Sequence, residues 1–217
     1  MESGGVRRRA LSDTDHIHTK RLVASRLCVA HLETLCAMHR DPAVMATLGG
    51  IRPVARTRVF LARNLRHWEQ YGFGLWIFHD TTDGRFVGRG GLRHVTLHGR
   101  PDVEINYALM PTFWGKGLAT EIATASVDLS RCLGMHSLVA FTLPGNHGSR
   151  RVMEKVGFGY ERDILYGGLP HVLYRRSGKF GGRGLPAQRQ EFGGRRLPAQ
   201  RQEFGGLGGR PEPPNSR

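Results

Sequence analysis

Apolar and polar positions alternate loosely from Arg21 to Leu27, which reads as a first strand. The period then becomes helical at Val29, Leu32, Leu35, Cys36 and His39, and Asp41-Pro42 ends that segment because proline cannot continue a helix. Phe60, Leu61, Leu65 and Trp68 mark a second amphipathic helix, closed by Gly72. Strand formers follow: Leu75 to His79, a turn of type I′ character at Asp83-Gly84, and Phe86 to Val95. Val103 to Met110 is a further strand, interrupted by Pro111. From about Gly117 a helix carries Leu118, Ile122, Ala125, Leu129 and Leu133 on one face, with Gly134 as its C-cap. Ser137 to Leu143 is a nearly continuous apolar run, the mark of a strand buried on both faces. Asn146 is placed to cap a short helix through Val152, Met153 and Val156 that Gly157 stops, and Tyr160 to Tyr166 and His171 to Arg175 finish as strands. This order predicts an α/β layer architecture, a mixed sheet flanked by helices.

The pattern fades near Ser177. Beyond it the chain has no Trp or Tyr, and ten of its 30 glycines lie between Gly178 and Gly209. LPAQRQEFGG begins at Leu185 and recurs at Leu197, a period of 12. Two copies of a Gly-, Gln- and Arg-rich unit cannot bury a core, so residues 177–217 read as a disordered, low-complexity tail. Residues 1–18 read as a flexible extension, leaving 19–176 as the folded domain, long enough for a sizeable core.

Of 217 residues, 32 are Lys or Arg and 18 Asp or Glu, a formal charge of +14, of which residues 19–176 carry 21 − 12 = +9. The 39% hydrophobic content is that of a globular protein. No apolar run approaches the roughly 20 residues of a membrane span, and Arg7 to Arg9 precede no apolar segment, which excludes a secretory signal. Three cysteines without a framework read as reduced thiols, placing the protein in the cytoplasm. Cys132 falls near the buried face of the Leu129/Leu133 helix and reads as packing. Asp15, His16 and His18 read as solvent-exposed, so no metal is expected.

Two segments carry candidate chemistry. In VEINYALMPTFWGKGLATE (103–121) a strand ends at a proline, and Gly115-Lys116-Gly117 leads into a helix. Amides at a helix start attract phosphate, glycine permits close approach to the main chain, and Lys116 adds a cation. Neither a Walker motif nor a dinucleotide fingerprint is present. In PGNHGSRRVMEKVGF (144–158), Asn146 sits where a buried strand hands over to a helix, with Ser149 three residues on. That spacing suits a helix cap. The cap is the better reading on local grounds, the other being two polar side chains at an opening between adjacent strands.

Together these segments resemble the GNAT N-acetyltransferases, in the branch of ribosomal-protein N-terminal acetyltransferases called RimJ/RimL-like. TKRL (19–22), DPAVMATLGG (41–50), YGFGLWIF, FVGRGGL and HVLYRR match in order as well, so the resemblance covers Thr19 to Arg176. It implies a mixed, mostly antiparallel central sheet flanked by helices, and acetyl-CoA as co-substrate. The family's Arg/Gln-x-x-Gly-x-Gly/Ala motif maps onto 114–119, with Trp114 departing from the leading Arg/Gln. It implies pyrophosphate on Gly115, Lys116, Gly117, Leu118, Ala119 and Thr120, and pantetheine beside Leu109 and Met110. Asn146 would fix the pantetheine and a backbone N–H near Met110 would serve the developing oxyanion. Glu104 is the implied base, directly or through water, with a solvent-side strand carboxylate as the alternative. Ser149 is the implied proton donor to the departing thiolate, with Tyr107 and Tyr160 in reserve.

The expected activity is direct acetyl transfer to a primary amine, of a protein N-terminus, a ribosomal protein or a small molecule, by a monomer or homodimer. The positive domain argues against a strongly cationic acceptor. Gly49 to Thr57, with Arg52, Pro53 and Arg56, is where acceptor specificity is expected. Two other readings compete: a basic RNA- or ribosome-binding protein acting through the tail, and a catalytically silent relative that binds acetyl-CoA.

Overall fold

The computed structural model describes residues 16–178. The repeat-bearing tail, apart from Ser177 and Gly178, and the first fifteen residues lie outside it. Eight strands and five helices follow one another in this order: β1 His16–His18, β2 Leu22–Arg26, α1 Leu32–Arg40, α2 Pro42–Met45, α3 Val54–Tyr71, β3 Leu75–Asp80, β4 Phe86–Leu97, β5 Arg100–Leu109, α4 Leu118–Cys132, β6 Ser137–Thr142, α5 His147–Lys155, β7 Gly159–Tyr166 and β8 Leu169–Ser177. The strands form one sheet in the order β1-β2-β3-β4-β5-β6-β8-β7. β5 and β6 are parallel and every other neighbouring pair is antiparallel. The expected mixed, mostly antiparallel α/β sheet is the observed one.

Strand alternation divides the core between two faces. On β5, Ile105 and Leu109 join Leu118, Ile122, Ala123 and Val127 of α4 and Met153 of α5 in the largest apolar cluster. Ala108 points the other way, against Met38, Val44 and Met45 of α1 and α2. Glu104 and Asn106 share its parity, so they lie on the face covered by α1, α2 and α3. Gly90 on β4 allows α4 to settle on the sheet, since a Cβ there would lie 2.4 Å from Ile122 Cγ2. Gly90→Ala is expected to cost about 1–3 kcal/mol of stability, read by urea denaturation, because a branched side chain must be displaced from a packed core.

Several local expectations are corrected. His16–His18 pairs with Val23–Ser25, so the sheet starts upstream of Thr19. Proline at 42 ends one helix and opens another: the Asp41 carboxylate accepts from the Ala43 and Val44 amides as an N-cap. Two-residue turns with both φ positive stand at His98-Gly99, 49° and 79°, between β4 and β5, and at Gly167-Gly168, 59° and 78°, between β7 and β8. Asp83-Gly84 instead belongs to a longer loop, where Asp83 accepts from the Arg85 amide at 3.0 Å and Gly84 N–H donates to Asp80 C=O at 2.9 Å. The buried stripe of α4 is Leu118, Ile122, Ala123, Ser126, Val127 and Ser130, not the stripe through Ala125, Leu129 and Leu133. The two serines enter the core because each hydroxyl donates to its own helix, to Ile122 C=O at 2.9 Å and Val127 C=O at 2.7 Å. That rotation leaves Cys132 exposed, so its reading as a packing residue fails.

Candidate functional site

The turn between β5 and α4 brings two glycines to a helix N-terminus. Gly115 and Gly117 have φ of 72° and 77°, a left-handed geometry that only glycine adopts without penalty. No heavy atom lies within 4 Å of where a Gly115 Cβ would be. The first α4 hydrogen bond runs from Glu121 N–H to Gly117 C=O at 3.1 Å. The amides of Leu118, Ala119 and Thr120 therefore have no partner inside the helix. Lys116 is exposed, with its Nζ 5.4 Å from the centre of the Phe113 ring.

A second layer of contacts holds this turn. Glu121, in the first turn of α4, accepts from Thr19 Oγ1 at 2.6 Å, Arg21 N–H at 2.8 Å and Arg21 Nε at 2.8 Å. Arg21 Nη1 also donates to Lys116 C=O at 2.9 Å. Burial would push the Glu121 carboxyl up, but the hydrogen bonds from Thr19 and Arg21 outweigh it and hold it below the usual range. Trp114 Nε1 donates to Leu109 C=O at 2.8 Å, tying the turn to the strand it leaves. A cavity of about 670 Å³ opens on the outer side, lined by His16, His18, Lys20, Gly117, Thr120 and Glu121 among others. It touches the turn but none of Tyr107, Asn146 or Ser149.

Beside the turn the sheet is split. β5 and β6 meet at a single register pair, Glu104 with Val139, and have no paired residues beyond it. Tyr107 spans the gap: its hydroxyl lies 3.0 Å from Ser149 Oγ and donates to Ser149 C=O at 3.2 Å. Burial raises the Tyr107 phenol to about 12, although the Ser149 hydrogen bond pulls it down, so it stays protonated at neutral pH. Asn146 fills both anticipated places. Its Oδ1 accepts from Ser149 N–H at 3.1 Å as the cap of α5, while Nδ2 donates to Thr142 Oγ1 at 3.0 Å at the end of β6. One lone pair and one N–H of the amide remain for a ligand.

Met110 N–H donates to Val87 C=O at 2.9 Å and is committed to the sheet. Because successive amides of a strand point to opposite edges, the Leu109 N–H faces the gap. Tyr160 is not brought to the site; it is 56% exposed on edge strand β7 and donates to Asp163 at 3.0 Å.

Glu104 is 2% exposed, which excludes the solvent-side alternative. It ion-pairs with Arg93 of β4 and accepts from Asn106 Nδ2 at 3.1 Å. Asn106 Oδ1 in turn accepts from Arg89. Arg89, Arg93 and Asn106 were not among the expected site residues; charges at alternate positions of a strand ordinarily mark its solvated face.

The sequence matches the family model described as the acetyltransferase (GNAT) domain over residues 21–159, more than half of the chain. The chain belongs to the GNAT acetyltransferase family. GNAT relatives share both sequence and shape with it. YkkB of Bacillus subtilis is 33% identical over 142 residues, spanning 64% of this chain and 81% of its own. The crystal structure of a GNAT-family acetyltransferase from Bordetella pertussis has a TM-score of 0.66 at 25% identity, covering 75% of this chain and 99% of that one. RimL, a ribosomal L7/L12 alpha-N-protein acetyltransferase solved with coenzyme A, has a TM-score of 0.63 over 75% of this chain and 97% of its own. At 17% identity that likeness is one of fold. Family members use acetyl-CoA as acetyl donor, and the glycine turn and the split between β5 and β6 suit such a donor.

Proposed function

We propose that this GNAT domain acetylates a primary amine, on a protein N-terminus or a small molecule, by direct transfer from acetyl-CoA, and that it belongs with the RimJ/RimL-like branch. One observation carries the reading: β5 and β6 part after a single pair, beside a turn whose amides are free. The ordered motifs from Thr19 to Arg176 support the branch. Catalysis is assigned to this domain, and residues 177–217 are left outside it.

Acetyl-CoA, as substrate, brings a thioester whose carbonyl carbon accepts the amine and whose sulfur leaves. In our assignment residues 115–120 hold its pyrophosphate, while Leu109, Met110 and Asn146 flank the pantetheine arm. The Leu109 N–H offers a hydrogen bond where the thioester oxygen gains charge. Glu104, with a lone pair left on each oxygen, orders the amine or a water that relays its proton. As the N–C bond forms and the C–S bond breaks, Ser149 Oγ protonates the thiolate and recovers its proton from Tyr107 and solvent.

Thiol release from acetyl-CoA, measured over a panel of peptides and small amines, tests the reading. Turnover on at least one amine is expected; coenzyme A binding with no turnover on any would favour the silent relative. Glu104→Gln is expected to lower kcat by roughly 100-fold, the usual worth of a positioned base, with the acetyl-CoA Kd within about twofold of the parent by calorimetry. Unchanged kcat would remove Glu104 from the assignment.

A further inference from the structure

Between the sheet and the helices that cover Glu104 lies a layer rich in buried positive charge. Arg89 is 3% exposed, its Nε has no hydrogen-bond partner, and its guanidinium carbon sits 4.9 Å from the centre of the Phe60 ring. Arg52 approaches the same ring at 5.6 Å, anchored by Nη2 donating to Leu48 C=O at 3.0 Å. Arg93 completes the cluster, its side chain 27% exposed where the layer meets solvent. Against these three guanidiniums stands the Glu104 carboxylate, already paired with Arg93. His39, fully buried, adds no balancing charge. Burial, then Arg89 and Arg52, lower it to about 3, so it is neutral; its Nδ1 meets Thr57 Oγ1 at 3.0 Å and its Nε2 has no partner.

A buried guanidinium short of partners is unfavourable unless something completes it. Two buried side-chain nitrogens without a hydrogen-bond partner among the described residues, the Arg89 Nε donor and His39 Nε2, flank one ring within a layer of excess positive charge. The missing partner is therefore an anion. The acetyl donor's phosphates are assigned to the turn at 115–120, so the anion belongs to the acceptor. Its spacing from the reacting amine is set by Asn106, whose Oδ1 takes Arg89 and whose Nδ2 donates to Glu104 at 3.1 Å. Arg89 and Glu104 thus hold the two ends of one amide side chain, so an acceptor that reaches both carries its anion and its amine within one small molecule.

We infer that the acceptor is a small amine bearing a free carboxylate, such as an amino acid, whose carboxylate is held by Arg89 and Arg52 while its amine faces Glu104. This rests on the N-acetyltransferase reading above and narrows its acceptor. Planar guanidiniums suit a carboxylate, and the cluster would repel a polycationic amine.

The test is thiol release by the full chain on matched pairs, a panel of amino acids and their carboxamides. The free acids are expected to exceed their amides in kcat/KM by roughly 10- to 100-fold, the worth of charged hydrogen bonds made to a buried group. Arg89→Gln, which stays polar without the guanidinium, and the more accessible Arg52→Gln are each expected to bring that ratio down toward one. A ratio within one protein is insensitive to the fraction folded, and if Arg89→Gln does not fold, Arg52→Gln carries the test. Equal rates on acid and amide, or a ratio that both variants leave intact, overturn the inference while N-acetylation stands. Coenzyme A binding without turnover on either member of any pair, or on any other amine, overturns both.

Discussion

Replacing Gly117 with valine is expected to weaken coenzyme A binding by more than about 100-fold, to below detection in calorimetry at micromolar protein. The reason is conformational. Gly117 sits at φ 77° as the N-cap of α4, and its Cβ position is open, with Arg21 Nη2 at 3.7 Å the nearest atom. Room is therefore not the obstacle. A β-branched residue in the left-handed region costs about 1–2 kcal/mol, and the chain escapes that strain by rotating out of it. Rotation at 117 re-aims the amides of Leu118, Ala119 and Thr120, which must converge on one diphosphate for their dipoles to add. Stability is expected to fall by no more than the strain itself, because Leu118 and Ile122 still pack on the sheet. Circular dichroism and urea titration separate the two effects. Native-like binding by a folded Gly117→Val protein would mean that the turn does not hold the phosphates.

That turn was legible from the chain alone, because two glycines before a helix constrain φ locally. The split between β5 and β6 was not. It shows only in the pairing, where β5 and β6 share the single register pair of Glu104 with Val139, and no residue near either announces that pairing stops there. Asn146 shows the same limit from the other side. One side chain caps α5 and also bonds Thr142 at the end of β6, so the cap alone does not use up its polar groups. Where the reading of local pattern failed, a tertiary neighbour had changed the meaning of a residue. Ser126 and Ser130 look like surface positions until their hydroxyls bond within the helix. Arg89, Arg93 and Glu104 alternate as a solvated strand face would, but α1 to α3 lie over that face. Arg21 and Glu121 are 100 residues apart and reveal their partnership only in the fold.

The largest loss of turnover is expected from the pair that crosses the gap. Tyr107→Phe removes the hydroxyl that meets Ser149, and Ser149→Ala removes the proposed donor itself; together they are expected to lower kcat by about 10²- to 10⁴-fold, the usual share of a proton-transfer group. Because the two hydroxyls form one hydrogen-bonded unit, each single change is expected to cause most of the double mutant's loss, rather than half of it on a logarithmic scale. Coenzyme A binding should persist, since neither side chain belongs to the 115–120 turn. The pH profile adds a second discriminant. With the Tyr107 phenol raised to about 12 by burial, the group that resupplies Ser149 remains protonated across the working range, so it contributes no fall in kcat on the alkaline side. A thiol or ammonium donor titrating near pH 8–10 would impose one. Additive single-site losses, or an alkaline limb that persists in Tyr107→Phe, would show that the proton reaches the leaving sulfur by a different route.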